Sequence, residues 1–161
     1  MYPSFIVEYG VAPHHLSKEV FIGIVKWLRE TRVEAKHTGR KLEADALKIV
    51  INRIYGALND AMDYLYDPEC TYTVTINLQL LLCGLIEAFE LNNFDVLSAN
   101  TDGLLVRLPL NRQGVFKHIC NEWSAYSKLD LETEKFEKYC RSAVNDYIAV
   151  GYGFYDALQE Y

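Results

Sequence analysis

The spacing of apolar and polar positions divides the chain into a helical first half and a mixed second half. In residues 16–36 apolar side chains recur every three or four positions, which predicts an amphipathic helix. Residues 41–66 show the same spacing and predict a second, longer helix that ends near Pro68. Because only residues 37–40 separate the two helices, residues 14–66 are predicted to form an antiparallel helical hairpin.

The second half of the chain combines helical and strand-like patterns. Residues 76–91 and 114–126 have helical spacing, and two short apolar runs, 94–99 and 104–110, flank a turn sequence typical of a β-hairpin. In residues 129–150, LDLET alternates like a strand, KFEKYCRSAV is compatible with helix or strand, and YIAV is strand-like. The predicted fold class is α+β, a small antiparallel sheet covered by helices, with the helical hairpin projecting from it.

The second helix has two contrasting faces. Helical spacing places Lys48, Asn52 and Tyr55 in a line. The other side carries apolar side chains and is predicted to pack against the core: Leu47, Val50, Ile51, Ile54 and Leu58. On the first helix, Arg29, Arg32 and Lys36 fall together on a face of their own. These polar lines are therefore free to meet a ligand.

Composition narrows the class of protein. With 161 residues, half of them apolar, the chain is long enough for one core and need not contain a second domain. No apolar run approaches the ~18 residues of a membrane span, and the first residues lack the features of a signal peptide. We therefore expect a cytoplasmic protein with no membrane partner.

Neither the cysteines nor the histidines suggest a metal site. The four cysteines are widely separated and contain no CxxC pair, so free thiols are expected. His14 and His15 are adjacent, with no acidic or cysteine partner at ligand spacing.

Charge is distributed unevenly along the chain. The formal net charge is -6, which by itself disfavours a nucleic-acid partner. Between Pro13 and Gly56, however, nine Lys or Arg stand against five Asp or Glu, whereas the remainder carries seven against seventeen. A basic segment is thus attached to an acidic body.

Three motifs, in a fixed order, resemble those of family B DNA polymerases. The fingers motif KxxxNSxYG is matched by Lys48, Asn52, Tyr55 and Gly56, with Arg53 where serine is usual. Residues 100–102, NTD, resemble the DTD core of the palm hairpin motif, with asparagine first, and residues 1–4, MYPS, resemble the end of DxxSLYPS. Residues 144–150, VNDYIAV, are similar to a sequence of phage members near the KxY primer-grip element. The resemblance is to phage-like members and covers nearly the whole chain.

The resemblance implies three regions. Residues 1–13 would be the end of a palm strand with its following turn, and residues 14–66 the fingers hairpin running into the palm. Residues 67–161 would be the palm with its carboxylate-bearing hairpin. The implied partners are primer–template DNA and deoxynucleoside triphosphates, with replication accessory proteins as further partners.

The implied activity is template-directed nucleotidyl transfer with two Mg²⁺ ions. By resemblance Asp102 is the catalytic metal ligand and Lys48 contacts the triphosphate, with Arg32 and Lys36 in the positions of the basic residues of the first fingers helix. The resemblance further places Asn52 beside the incoming nucleotide and Tyr55 near the nascent base pair. Tyr2 takes the position that excludes a ribose 2′-hydroxyl.

Two departures from the motifs leave alternatives open. Asn100 replaces a carboxylate close to the metals, and the metal-binding aspartate of the first motif would precede Met1. We therefore expect an incomplete fragment that is inactive by itself. The alternatives are a noncatalytic nucleic-acid-binding or interaction module that keeps this fold, and an unrelated helical interaction protein.

Each site residue also has a plainer interpretation. Lys48 and Arg32 are compatible with solvated helix faces. Asp102 is compatible with a turn residue, and Tyr2 and Tyr55 with packing. Arg29 and Arg53 are assigned to the surface.

Overall fold

The computed structural model describes residues 1–100, 103–143 and 146–151. Within these residues, four helices are followed by a β-hairpin, a fifth helix and a second β-hairpin. The helices are α1 (Tyr2–Tyr9), α2 (Lys18–His37), α3 (Lys41–Leu58), α4 (Pro68–Leu91) and α5 (Gln113–Ser127), with a 3₁₀ turn at Leu110–Arg112. The strands are β1 (Val96–Ala99), β2 (Leu104–Val106), β3 (Phe136–Ala143) and β4 (Asp146–Gly151).

The predicted helical hairpin is confirmed. α2 and α3 pack against each other in antiparallel directions through a row of buried side chains on each helix: Phe21, Val25, Leu28 and Ala35 on α2, and Ala44, Ile51 and Leu58 on α3. The chain reverses at Gly39, whose φ of 73° lies in the left-handed region that glycine adopts without strain. The Arg40 N–H donates to the Ala35 carbonyl at 2.9 Å and closes the turn.

The boundary between α3 and α4, which correspond to the second and third predicted helices, differs from the prediction. α3 ends at Leu58 instead of residue 66, and α4 begins at Pro68 instead of residue 76. Asp67 caps α4 through Oδ1, which accepts the Cys70 N–H at 2.9 Å, and proline suits the first helical position because it lacks an N–H. Asp-Pro-Glu is thus a helix start, which the sequence analysis interpreted as a stop.

The segment between these helices is a series of short turns. Asp60 accepts the Met62 N–H at 3.1 Å, and Asp63 accepts the Leu65 N–H at 3.0 Å. Aspartate side chains that bond two residues ahead compete with helical hydrogen bonds, which explains the early end of α3.

The first residues form a helix where the end of a strand was expected. Pro3 lies in the first turn of α1, and Gly10 ends the helix in the left-handed conformation with φ 64°. Phe5 and Ile6 are buried. α1 therefore contributes to the core and also carries Tyr2.

α4 is the central helix of the core. It buries seven side chains: Cys70, Thr71, Val74, Leu78, Leu82, Leu85 and Phe89. By length and composition it is also apolar enough to cross a membrane, although Asn77, Gln79 and Glu87 interrupt its apolar positions. Packing against α1, α3 and α5 gives a direct reason for its apolar character.

The strands form two separate antiparallel hairpins instead of one sheet. β1 pairs with β2, with Ala99 opposite Leu104, and the Asn100 N–H donates to the Gly103 carbonyl at 3.0 Å. β3 pairs with β4, which resolves the ambiguous tail as strands, whereas residues 129–135 have no regular secondary structure. The mixed helix and strand class is confirmed.

Candidate functional site

Arg32 occupies a position in the buried row of α2. It lies four residues after Leu28 and three before Ala35, both of which are buried. Its Nε is buried and has no hydrogen-bond partner in the described part of the chain. A buried donor without a partner costs about 1–3 kcal/mol, so a hydrogen-bond acceptor placed against this Nε would stabilise Arg32 in its position.

Lys48 lies at the level of Arg32 on the opposite helix. Ala35 and Ala44 flank the turn, and Leu28 and Ile51 are each seven residues farther from it, so the antiparallel pairing places Arg32 across from Leu47 and Lys48. Lys48 is exposed and makes no ion pair with any described residue. Asn52 follows one turn later and is also exposed.

The packing face of α3 is narrower than predicted. Val50 is 46% exposed, although it was assigned to the core, whereas Leu47 and Ile54 are half-buried. At about 100° per residue, Val50 lies on the flank opposite Lys48, beyond the buried row. Lys48 and Asn52 therefore flank the packed row on one side, and Val50 flanks it on the other.

Most other cations of the basic segment have acidic partners. Arg29 pairs with Glu8 at 3.8 Å and with Asp130 at 3.6 Å, and Arg53 pairs with Asp63 at 2.8 Å. Lys26 and Arg40 pair with glutamates of α2 and α3. In the described residues, Arg32 and Lys48 thus differ from these neighbours in lacking an acidic partner.

Lys36 is the predicted phosphate contact that does have a partner. Its Nζ lies 3.5 Å from an oxygen of Glu132, and both side chains are exposed. Exposed pairs contribute about 0–1 kcal/mol, so this contact is easily exchanged for a phosphate.

The structure brings Tyr2 and Tyr55 together. Their rings stack with centroids 4.2 Å apart and planes 5° from parallel. The Thr75 hydroxyl donates to the Thr71 carbonyl at 2.8 Å, so the short hydrogen bond between Tyr55 and Thr75 is donated by the tyrosine. Tyr55 on α3 is thereby fixed against both α1 and α4.

Thr75 is a functional neighbour that the sequence analysis missed. Thr71 and Thr75 stand four residues apart and therefore on one face of α4, and this pair of hydroxyls was the available signal.

The predicted metal ligand Asp102 lies outside the described residues. β1 and β2 pair on either side of it. Among the described residues, no group of three or more His, Cys, Asp or Glu is arranged to hold a metal ion, and Asp67 is the one buried carboxylate. The described residues by themselves therefore do not fit a two-metal centre.

The Asp67 carboxylate is hydrogen-bonded to His14, which lies 53 residues earlier in the chain. Asp67 Oδ2 accepts both the His14 backbone N–H at 2.8 Å and the ring Nδ1–H at 2.9 Å. Burial raises the pKa of Asp67, but the N–H groups of Cys70 and His14 and the His14 ring outweigh burial and lower this pKa to about 2. The hydrogen bond and charge of Asp67, with the charge of Glu69, raise the pKa of His14.

Two comparisons with known proteins agree. The chain is 31% identical over 77 residues to DNA polymerase II of Escherichia coli (strain K12), a match that covers 48% of this chain and 10% of that protein. Its fold is similar to that of the family B DNA polymerase from the hyperthermophilic archaeon Pyrobaculum calidifontis, with a TM-score of 0.68 and 18% identity. The chain is similar to a segment of a family B DNA polymerase. No protein-family model matches it.

The likeness to family B DNA polymerases extends over 94% of this chain but only 25% of the archaeal structure. The chain thus spans a tenth of the curated relative and a quarter of the structural one. The resemblance found in the sequence motifs is confirmed at the level of the family and the fold.

Proposed function

We propose that this chain is the fingers and palm segment of a family B DNA polymerase, and that its α2–α3 hairpin binds the triphosphate of an incoming deoxynucleotide. The observation that carries the proposal is the pair of cations Arg32 and Lys48. They lie at one level of the hairpin, and neither has an acidic partner among the described residues.

A triphosphate supplies what these two cations lack. Arg presents a planar set of donors suited to two phosphate oxygens, and Lys adds a compact charge. Lys36, one turn from Arg32, joins them when it leaves Glu132, and Asn52 lies one turn from Lys48 beside the nucleotide. In nucleotidyl transfer such positioning and charge neutralisation supply most of the catalysis.

The stacked pair of Tyr2 and Tyr55 forms the wall for the sugar and the nascent base pair. Tyr2 is held flat against Tyr55, which is fixed in turn by Thr75. A ring held in this way leaves no volume for a ribose 2′-hydroxyl, so the pair favours deoxynucleotides.

The chemical step belongs to the whole polymerase. Mg²⁺ would neutralise the reacting phosphate and activate the primer hydroxyl, with Asp102 as one ligand. Asn100 adds no charge there, and further carboxylates are required. We therefore expect the 161-residue chain to bind nucleotide weakly and to extend no primer. Phage origin and accessory partners remain predictions.

Calorimetric titration with a deoxynucleoside triphosphate and Mg²⁺ tests the proposed site. Lys48→Ala is expected to weaken binding about tenfold, the loss of one charge-assisted contact of about 1.5 kcal/mol. The matched control is Lys41→Ala, which removes an exposed lysine from the first turn of the same helix. Equal affinities of the two variants would contradict the proposal.

A noncatalytic nucleic-acid-binding module is the second candidate, favoured by Asn100 and by the basic segment. It predicts that Lys48→Ala and Lys41→Ala weaken primer–template binding equally and flatten its salt dependence, while triphosphate binding is absent from the wild type.

A further inference from the structure

The two chain segments at the base of the α2–α3 hairpin are fastened to each other. Residues 10–17 lead from α1 into α2, and residues 59–67 lead from α3 to α4. The angle of the hairpin on the body therefore depends on how these two segments are held together, and on the direct packing of α2 against α1 and of α3 against α1 and α4.

Asp67 joins three elements at this base. Its carboxylate accepts two hydrogen bonds from His14 and one from the Cys70 N–H at the start of α4. Its own N–H donates to the carbonyl of Leu58, the last residue of α3, at 2.9 Å. One buried side chain thus connects the segment before α2, the end of α3 and the start of α4.

The adjacent histidine makes a second link. The His15 Nε2–H donates to the Tyr64 carbonyl at 2.8 Å, and the two rings meet edge to face with centroids 5.6 Å apart. Arg53 ties the segment after α3 back to that helix through Asp60 and Asp63. Several links at this base thus involve charged or polar groups, beside the apolar packing of Leu16 and Leu65 against the core.

The charges around His14 favour its protonated form. Besides Asp67, Glu69 of α4 lies 3.8 Å from Nε2. Lys18 of α2 and Cys70 line the same cleft, of about 390 Å³. Burial raises the pKa of Cys70 to about 11, so this thiol is neutral, and Lys18 is the one opposing charge that lines the cleft.

We propose that His14 and Asp67 are positioning residues, a clasp that fixes the angle of the α2–α3 hairpin on the body and loosens when His14 loses its proton. Their consequence for nucleotide binding, through the placement of Arg32 and Lys48, rests on the proposed function. The clasp itself does not, since it is defined by contacts within the free chain.

Pulsed electron paramagnetic resonance on the free chain tests the clasp. Spin labels at Leu42→Cys, near the tip of the hairpin, and Tyr126→Cys, on α5, report the hairpin angle, because both positions are exposed. Cys83, Cys120 and Cys140 are replaced by serine or alanine. We expect a narrow distance distribution near pH 5.5 that broadens as pH rises through the pKa of His14.

Two variants and a control separate the clasp from general stability. Asp67→Asn keeps a good helix cap but removes the charge, and His14→Gln removes the titration, so both are expected to abolish the pH-dependent broadening. His118→Gln removes an exposed histidine that pairs with Glu122 on its own helix, and should leave the broadening intact. A wild-type distribution independent of pH, or broadening that persists in His14→Gln, would overturn the proposal.

The nucleotide readout distinguishes the two proposals. If the distances respond to pH but the affinity for triphosphate is absent, the clasp stands and the proposed function fails. If Lys48 governs affinity and the distances ignore pH, the clasp alone is refuted.

Discussion

At the scale of single residues, the most specific arrangement is the chain of contacts from Tyr2 through Tyr55 to Thr75. The Tyr2 ring stacks on the Tyr55 ring, the Tyr55 hydroxyl donates to the Thr75 hydroxyl, and Thr75 donates to a carbonyl of its own helix. In the sequence, only the family motifs place Tyr2 and Tyr55 at one site, because nothing in the local pattern pairs residues 53 positions apart. The role of Thr75 required the fold.

Tyr55→Phe is expected to lower the free energy of unfolding by about 0.5–1.5 kcal/mol, the usual contribution of one hydrogen bond. The ring stack with Tyr2 is retained. Thr75→Val removes the same bond from the other side, so in urea unfolding the double variant should lose less than the two single losses added together. Additive losses would show that the bond is not formed.

Residue type alone also mispredicted the burial of two side chains, Arg32 and Val50. A cation in a buried row breaks the amphipathic pattern, so Arg32 was predicted to lie on a separate polar face, although its Nε is buried. Val50 satisfied the pattern and is nevertheless exposed, because the contact between two helices is narrower than an apolar stripe.

At the scale of elements, the periodicity of apolar residues predicted the positions of most helices, but their ends are determined by local capping and turn residues. α2 and α5 lie within two residues of their predicted bounds because their apolar spacing is regular. The predicted end of α3 and the predicted start of α4 were wrong, because Asp67-Pro68 begins a helix instead of ending one. The pairing of Asp67 with His14 was not predictable, since helical or strand spacing relates only near neighbours.

Asp67 predicts how stability depends on pH. Its pKa is lowered from 3.8 in the unfolded chain to about 2, so it stabilises the fold above pH 4 and loses this effect as pH falls towards 2. The loss should amount to about 2 kcal/mol. The pKa of His14 is raised, so its contribution is complete below its ordinary pKa and disappears as pH rises through the raised value.

Urea unfolding from pH 2 to pH 8 measures both effects: the loss of stability at low pH that is due to Asp67, and the loss at higher pH that is due to His14. Asp67→Asn should flatten them, because it removes the charge that shifts each group, whereas His118→Gln should leave them in place. An Asp67→Asn profile parallel to that of the wild type would contradict this assignment.

At the scale of the whole molecule, the chain corresponds to a quarter of a family B DNA polymerase structure. The described residues contain the α2–α3 hairpin and a helical core, but no group of three or more His, Cys, Asp or Glu side chains arranged to hold a metal ion. Fold and family were predictable because three motifs occur in order, whereas the extent of the active site was not.

Primer extension with Mg²⁺ and all four deoxynucleotides is expected to give no product from this chain. The reason is that two cations need several carboxylate ligands, and no group of three or more His, Cys, Asp or Glu is arranged to hold a metal ion in the part of the chain that the structure describes. Synthesis above a no-protein control would contradict the expectation.

The central claim is that Arg32 and Lys48 hold a triphosphate, and the Arg32 Nε–H signal in ¹H–¹⁵N spectra tests it most directly. Because this donor has no hydrogen-bond partner among the described residues, saturating nucleotide with Mg²⁺ should shift its signal strongly. The Nε–H signal of Arg53, whose Nη2 already pairs with Asp63, should move little. An Arg32 signal that stays in place, or that moves no more than that of Arg53, would contradict the account.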